Sequence, residues 1–530
     1  MKLLAAALAA AALLAFPAAA SAAAARDAAL ARRGITHAVQ RHWLKPEDAQ
    51  RYRAAVARAM YDIAHLPKLR AGVLTSQLSQ ATTLWDSYTA PRALALFSQL
   101  EENASYLETN RIPPPMTDVA DDEGVVYRWF SGLGLEFHPL ANFAALNTDA
   151  AANDVEATRT LAAALLARAI PRGGRLLWEY SFPYGIGRPP WASGMAQAVA
   201  AQALARAGAL LEEPALVQAS AAAFASVQPL TFPLPSGPWV RLYGFNREVV
   251  LNAQLQAIVS LLDYAQVSGD SAASGFVQSL GSTTQALLPR FDTGDWSLYE
   301  LGGGYAPMDY EILVTQLLAK LAARTHDPFW VDTAQRFHAY LYDPPQITPG
   351  TPQPSTLYPQ PADGWLDTAS IPITLSQRSA VTLAVGGKVT TYRLAPGAHT
   401  LTWKPPLTLA PGTDSVQLSA TNYVRRRATV KLPPLVVAAE TAPQTAGAQL
   451  AGTTLTWQFT DPGTPWLALK VDLADPTGAT PPQVIDLAHQ PTAGSAQVPV
   501  PPGTWQATLE ATNSAALTTT ADLGTVTVAG

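Results

Sequence analysis

The chain has 530 residues, 48% of them hydrophobic and 14% charged, and its 35 Lys and Arg against 40 Asp and Glu leave a formal charge of −5. That length holds about two to four domains with a sizeable core, and disorder over most of it is excluded, since unfolded chains combine low hydrophobicity with high net charge. An isoelectric point near 5.9 argues against a dedicated nucleic-acid binder, and the absence of cysteine excludes disulfide scaffolds, thiolate metal sites and Cys nucleophiles.

The N-terminus reads as a targeting segment. Met1-Lys2 supplies a positive start, Leu3 to Phe16 is an apolar run too short to span a bilayer comfortably, and Ala20-Ser21-Ala22 fits the small-x-small cleavage pattern. A cleaved signal peptide over residues 1–22 is expected, and with it export to the medium or the cell envelope; the alternative is an uncleaved signal anchor. No later segment has about twenty uninterrupted apolar residues, so no stable membrane span is expected.

From 39 to 342 the chain reads as helical. Tyr52, Val56, Met60 and Ile63 recur three or four apart, which is one helix face. Helical patterns follow over 154–169, 194–207, 252–265, 271–288, 312–323 and 328–342, with Pro214 opening a further helix. Three long loops rich in Gly, Pro and aromatics interrupt them: Trp178 to Trp191, Leu230 to Asn246 and Phe291 to Asp309. Most connections in helical domains are short, and long ones tend to carry function. Helical hairpins with elaborate loops fit an (α/α) toroid; periodicity alone equally allows an irregular bundle.

A Pro-rich linker is expected over 343–365. Beyond it the chain alternates apolar and polar residues in short runs, with Gly386-Gly387 as a hairpin turn. The spacing predicts one or two all-β, Ig-like sandwich modules, over 366–434 and 435–530. From Val436 onward there are seven acidic residues and one basic residue, Lys470, a poor grip on a polyanion. The fold class is therefore multidomain, an all-α toroid followed by β-sandwiches.

Familiar catalytic signatures are missing: there is no HExxH, GxSxG, P-loop or dinucleotide fingerprint. The eight histidines show no metal-ligand spacing, so neither a metal nor a cofactor is expected. What stands out is Tyr, Trp and Arg concentrated in the three loops. Aromatic faces stack on sugars, Arg forks hold carboxylates, and a Tyr beside a cation can exchange a proton. For any single Tyr, plain packing is the commoner explanation.

Taken together the loops resemble the C-terminal catalytic domain of D-glucuronyl C5-epimerases. The family's W-x-S-x-M-A-Q is matched by Trp191 to Gln197, and its Trp with a Tyr four residues on, then V-L-N, by Trp239, Tyr243 and Val250-Leu251-Asn252. Its L-P-x-[FY]-D-T-G followed by [IL]-Y-[DE]-L is matched by Leu288 to Gly294 and Leu298 to Leu301, and its D-Y pair by Asp309-Tyr310. Phe137-His138-Pro139 matches an upstream element more loosely. The resemblance covers residues 125 to 342. It implies proton removal at C5 of a uronosyl unit and return on the opposite face, converting D-glucuronate to L-iduronate in a polysaccharide such as heparosan, the precursor of heparan sulfate. Tyr243 and Tyr310 are then expected as the opposed proton-transfer pair and Tyr299 as a third catalytic phenol. Arg188 and Arg241 are candidates for the carboxylate clamp, on proximity in sequence. Trp191, Gln197, Asn252, His138 and Glu300 are candidates for substrate binding. Two positions depart from the family: Leu242 stands where it has an acidic residue, and Gly302 where it has an Arg. The family's β-rich part also precedes the catalytic domain, whereas here β modules follow it.

The expected partner is a uronate-containing polysaccharide, with no nucleic acid, and a homodimer is left open. Two rival readings stay open: a polysaccharide lyase, which shares the C5 abstraction and then expels the C4 substituent, and a non-catalytic glycan-binding envelope protein built on the same domain.

Overall fold

The computed structural model describes residues 22–529 except Leu407; the expected signal peptide, apart from Ala22, lies outside the described residues. The described residues divide into two compact units, which meet in sequence at Phe337 and His338.

The first unit opens on helix α1 (22–40), whose Ala24, Ala28, Ala31, Ile35 and Ala38 are fully buried at helical spacing. The helical domain thus begins well before residue 39. With α2 (Pro46–His65), α3 (Lys68–Thr82) and α4 (Ala90–Thr109) it builds one core, in which Tyr52 stacks on Phe97 at 4.8 Å and Tyr88 meets Phe97 edge-on at 5.2 Å.

Eight further helices come in pairs: α5 (Pro139–Ala151) with α6 (Val155–Ala167), α7 (Gly194–Leu211) with α8 (Pro214–Phe224), α9 (Leu251–Ser268) with α10 (Ser271–Leu287), and α11 (Met308–Thr325) with α12 (Pro328–Tyr342). Links within a pair are short because the sequence supplies stops and starts. Asp154 caps α6 through Ala157 N, Gly269 ends α9 at φ +68°, and Asp270 caps α10 through Ala272 N and Ala273 N. α7 is apolar nearly all round and buried along its length. It packs between α5 and α9, and α9 packs on α11, while α6, α8 and α10 pack against the outside of these.

An all-helical reading of this unit is corrected by seven short strands. β1 (Asp118–Ala120), β2 (Val126–Phe130) and β3 (Gly134–Phe137) form an antiparallel sheet; β4 (Ile170–Arg172) pairs with β5 (Arg175–Leu177), and β6 (Thr231–Leu234) with β7 (Gly237–Val240). Strands this short carry too little alternation to register against helical neighbours. The sheet is fixed by Glu136 on β3, fully buried and accepting from the amides of Gln77 (2.8 Å), Gln80 (2.8 Å) and Gln99 (2.7 Å). Burial pushes its carboxyl up to about 8 against the three donors, which pull it down.

In the second unit the Pro-rich stretch is no free tether. It supplies β8 (Ile347–Pro349), paired with β10 (Ala369–Leu375), and β9 (Thr356–Leu357), paired with β15 (Arg427–Val437). Extended Pro-rich chain fits a sheet edge, where a missing N–H costs no ladder bond. β11 (Ser379–Val385) and β12 (Lys388–Leu394) are joined by Gly386 and Gly387, both at positive φ, as a two-residue hairpin requires. The sheets β13-β10-β8 and β12-β11-β14-β15-β9 share one apolar core, β13 being Gly397–Trp403 and β14 Gly412–Asn422. A second pair of sheets, built from seven strands over 444–528, shares another, around Trp457, Val471 and Leu509. Among the described residues no helix is long and apolar enough to cross a membrane.

Candidate active site

The first long loop closes on itself. Tyr180 and Trp191 exchange backbone hydrogen bonds at 2.7 and 3.1 Å, and their rings stack at 4.0 Å and 3°. The second loop is drawn tight by Arg241, whose guanidinium donates to Asn246 O at 2.6 Å and Thr231 O at 3.4 Å. Gly244 N then donates to Ala192 O at 2.8 Å, joining loop two to loop one, and Tyr243 comes to lie 5.2 Å from Tyr184 and 5.8 Å from Trp191, ring to ring. The third loop is tied to α11: Glu311 accepts from Ser297 N at 3.0 Å and from Ser297 Oγ, and Leu251 N at the start of α9 donates to Tyr299 O at 3.3 Å.

These ties bring four phenols together. Tyr243 lies against Tyr184, Tyr299 packs in the same cluster as Tyr243, and the Tyr299 and Tyr310 rings stand 5.0 Å apart. Burial pushes Tyr243, Tyr299 and Tyr310 all above the ordinary tyrosine range, and the neighbouring phenols push further. At Tyr310 two effects oppose the rise, the neighbouring Tyr299 hydroxyl and the positive charge of Arg128.

The phenols sit at one end of a cavity of about 810 Å³, which Arg128, His138, Tyr184, Trp191, Tyr243, Asn252 and Tyr310 line. Tyr299 does not line it but packs edge-on against Tyr310, which does. Arg128, on β2, is held by a bidentate pair with Asp118 at 2.6 and 2.8 Å. His138 caps α5: its Nδ1 accepts from Ala141 N at 3.1 Å, so the ring proton is on Nε2. Burial, then the charge of Arg128, push the imidazole down to about 3, leaving it neutral near neutral pH. Asn252 is buried and its Oδ1 has no hydrogen-bond partner. The first turns of α7, α9 and α11, with the capping His138 and Leu140 of α5, all border this end, so four helix N-termini add positive potential there.

Other candidates fall elsewhere. Arg188 is exposed and does not line the cavity; neither does Arg241, whose hydrogen bonds go to loop carbonyls. Gln197 is fully buried and bonds Trp178 N and O at 3.3 and 3.2 Å, tying α7 to loop one. Glu300 bridges Val250 through its backbone. Leu242 packs with Met195, Val250 and Ala253 beside Tyr243. Arg128 escaped the sequence reading; its one signal was a charge in the otherwise apolar run Val126–Phe130. Among the described residues no three His, Asp or Glu group closely enough to hold a metal ion.

Residues 172–339 match the family model described as the D-glucuronyl C5-epimerase C-terminus. That region belongs to the family. All three long loops and the phenols they carry fall within this epimerase-family region, while Arg128 and His138 precede it. The match supports a carbohydrate-acting enzyme. No curated protein matches the chain. Among solved structures, an endoglucanase from Komagataeibacter sucrofermentans is 14% identical over 37% of this chain and 71% of its own, with a TM-score of 0.29. A D-mannose isomerase is 11% identical over 52% and 74%, with a TM-score of 0.33. Fibronectin(III)-like modules of Clostridium thermocellum CbhA are 15% identical over 34% and 93%, with a TM-score of 0.16.

Proposed function

We propose that the protein is an exported uronosyl C5-epimerase, converting D-glucuronate to L-iduronate units within a polysaccharide. The observation that carries this reading is that Tyr243 and Tyr310 line one cavity together with Arg128, with Tyr299 packed edge-on against Tyr310. The signal-like N-terminus supports export. The alternation of inner helices α5, α7, α9 and α11 with outer α6, α8 and α10 supports an (α/α) toroid. Two cores, each shared by two sheets, support Ig-like sandwiches.

The chemistry is a balanced isomerisation. One phenolate takes the C5 proton, the electron pair delocalises into the adjoining carboxylate, and a phenol on the other face returns a proton to C5. The barrier is negative charge building beside a carboxylate, so cations and donors fixed at that spot do most of the work. Arg128, the Nε2–H of His138 and the four helix N-termini supply them; Asn252 Oδ1 suits a sugar hydroxyl. Tyr310, whose rise the charge of Arg128 opposes, is the base in the glucuronate direction, and Tyr243, whose causes include no cation, is the acid. After one turnover Tyr310 holds an extra proton and Tyr243 lacks one. Tyr299, packed next to both, returns the proton from one to the other.

The test is turnover of glucuronan and heparosan in deuterated water. The wild type should place deuterium at C5, and Tyr310→Phe should abolish this. Full exchange in that variant removes Tyr310 from the mechanism, and an ultraviolet-absorbing unsaturated uronate makes the enzyme a lyase.

A further inference from the structure

The cavity does not end at the phenols. α7 lines it with Met195, Val199, Gln202 and Arg206, and α9 with Asn252, Gln256 and Val259, each at the spacing of one helix face. On α11 the lining runs from Tyr310 to Arg324, roughly 21 Å at the α-helical rise. The wall changes character along that length, from phenols through Met195, Val199 and Leu313 to a charged far end.

At the far end the inner helices are tied together. Asp263 on α9 is buried and pairs with both Arg206 of α7 and Arg324 of α11, and it accepts from Gln202 Nε2 at 2.9 Å. Arg206 also donates to Asn147 on α5 at 3.3 Å. Two guanidiniums thus share one carboxylate, and each remains about a third exposed. Lys320, one turn before Arg324, lines the same wall with no ion pair among the described residues. The result is an excess of two positive charges. Asp309, the one carboxylate among the described lining residues, stands at the phenol end. Helix C-termini attract cations, which accounts for Arg324 in the last turn of α11. Arg206 and Lys320 stand more than a turn inside their helix ends, on the cavity face, where that account does not reach.

We propose that the basic far end is a second anion subsite, formed by Lys320, Arg206 and Arg324. It binds the carboxylate of another uronate several sugars from the reacting unit, so that an acidic polysaccharide lies along the axes of the inner helices. The identity of the ligand rests on reading the phenol end as the uronosyl site. Arg206 and Arg324 keep N–H groups free after pairing with Asp263, and Lys320 keeps all three, so an incoming carboxylate completes bonds rather than breaking a pair.

The test uses the full chain carrying Tyr310→Phe, which holds substrate without turnover, and titration calorimetry with oligoglucuronates from disaccharide to octasaccharide and with their carboxyl-reduced forms. The octasaccharide should bind more tightly than the disaccharide, the advantage should vanish on carboxyl reduction, and Lys320→Gln should weaken the octasaccharide by roughly tenfold. Arg206→Gln should act likewise; because it also loosens Asp263, the unpaired Lys320 is the deciding position. Equal octasaccharide affinity with and without Lys320→Gln overturns the subsite, whatever the wild type does in deuterated water. Wild-type failure to exchange C5 hydrogen, with Lys320-dependent binding intact, overturns the epimerase reading and leaves the anion subsite standing.

Discussion

Tyr299 and Tyr310 meet edge to face, ring centroids 5.0 Å apart at 81°. One ring comes from a loop and the other from the first turn of α11, and Tyr299 also packs in one cluster with Tyr243, so in the proposed cycle it is the link from Tyr310 to Tyr243. Tyr299→Phe keeps the ring contact and removes only the hydroxyl. Steady-state epimerisation should fall by about 10²-fold while the first turnover stays fast, giving a burst in rapid-quench measurements. Equal loss in both phases would mean that Tyr299 acts in the proton transfer at C5 itself.

Arg128 bears on rate and pH together. Arg128→Ala should lower kcat/KM by about 10²- to 10³-fold, the usual cost of losing a charge aimed at a developing anion. Because the base acts as a phenolate and burial raises its pKa, wild-type activity should climb with pH toward and beyond about 10. Arg128 holds Tyr310 down, so its loss should displace that climb to higher pH. A pH–rate profile of the two proteins decides; an unmoved profile would separate Arg128 from Tyr310. Asp118→Asn, which spares the guanidinium, should cost less.

Glu311 makes stability depend on pH. Burial raises its carboxyl to about 7 from an ordinary 4.5, against the lowering bonds from Ser297. The folded protein therefore binds more protons than the unfolded one between those values, so this group's contribution to stability falls as pH rises from 4.5 to 7 and is fully lost above. Its Oε1 has no partner, so Glu311→Gln keeps the acceptor for Ser297 and removes the titration. Denaturation at pH 5 and pH 8 should show a smaller difference in stability for the variant than for the wild type. An unchanged difference would assign the pH dependence to other groups, Glu136 among them.

Gly244 joins two loops at close range. A Cβ there would stand 2.6 Å from the carbonyl oxygen of Ala192, which is backbone and cannot rotate away. Gly244→Ala should push loop two off loop one, costing about 1–3 kcal/mol of stability and displacing Tyr243. Turnover should fall by an order of magnitude or more, since small misplacements at a reacting centre cost up to about 10²-fold. Wild-type turnover in this variant would show that the loop junction does not position Tyr243.

The helical pairs were legible because their stops are local: Asp154, Pro214 and the Gly269-Asp270 step act on the residues beside them. The β strands of the second unit were legible because apolar residues alternate over seven residues or more in Ala369–Leu375 and Ser379–Val385. The short sheet β1–β3 was not, nor was α1, where the buried face is mostly alanine and follows directly on the apolar run before it. The Pro-rich stretch read as extended, yet nothing local says which sheet edges will take it up.

The amino-acid sequence by itself determined that three aromatic loops punctuate a helical domain and that Tyr243, Tyr299 and Tyr310 stand at family motif positions, since motif spacing and helix periodicity are properties of neighbours along the chain. Only the tertiary structure decided which cation accompanies them. Arg241 is nearest in sequence, but its donors close its own loop on Thr231 and Asn246. Arg128 lies far upstream, on a strand fixed by Glu136 and three glutamines from other helices, and it lines the same cavity as Tyr310 because those buried hydrogen bonds set where the sheet sits. Charge acts through space, and the distance between two charges is settled by packing that no stretch of neighbouring residues encodes.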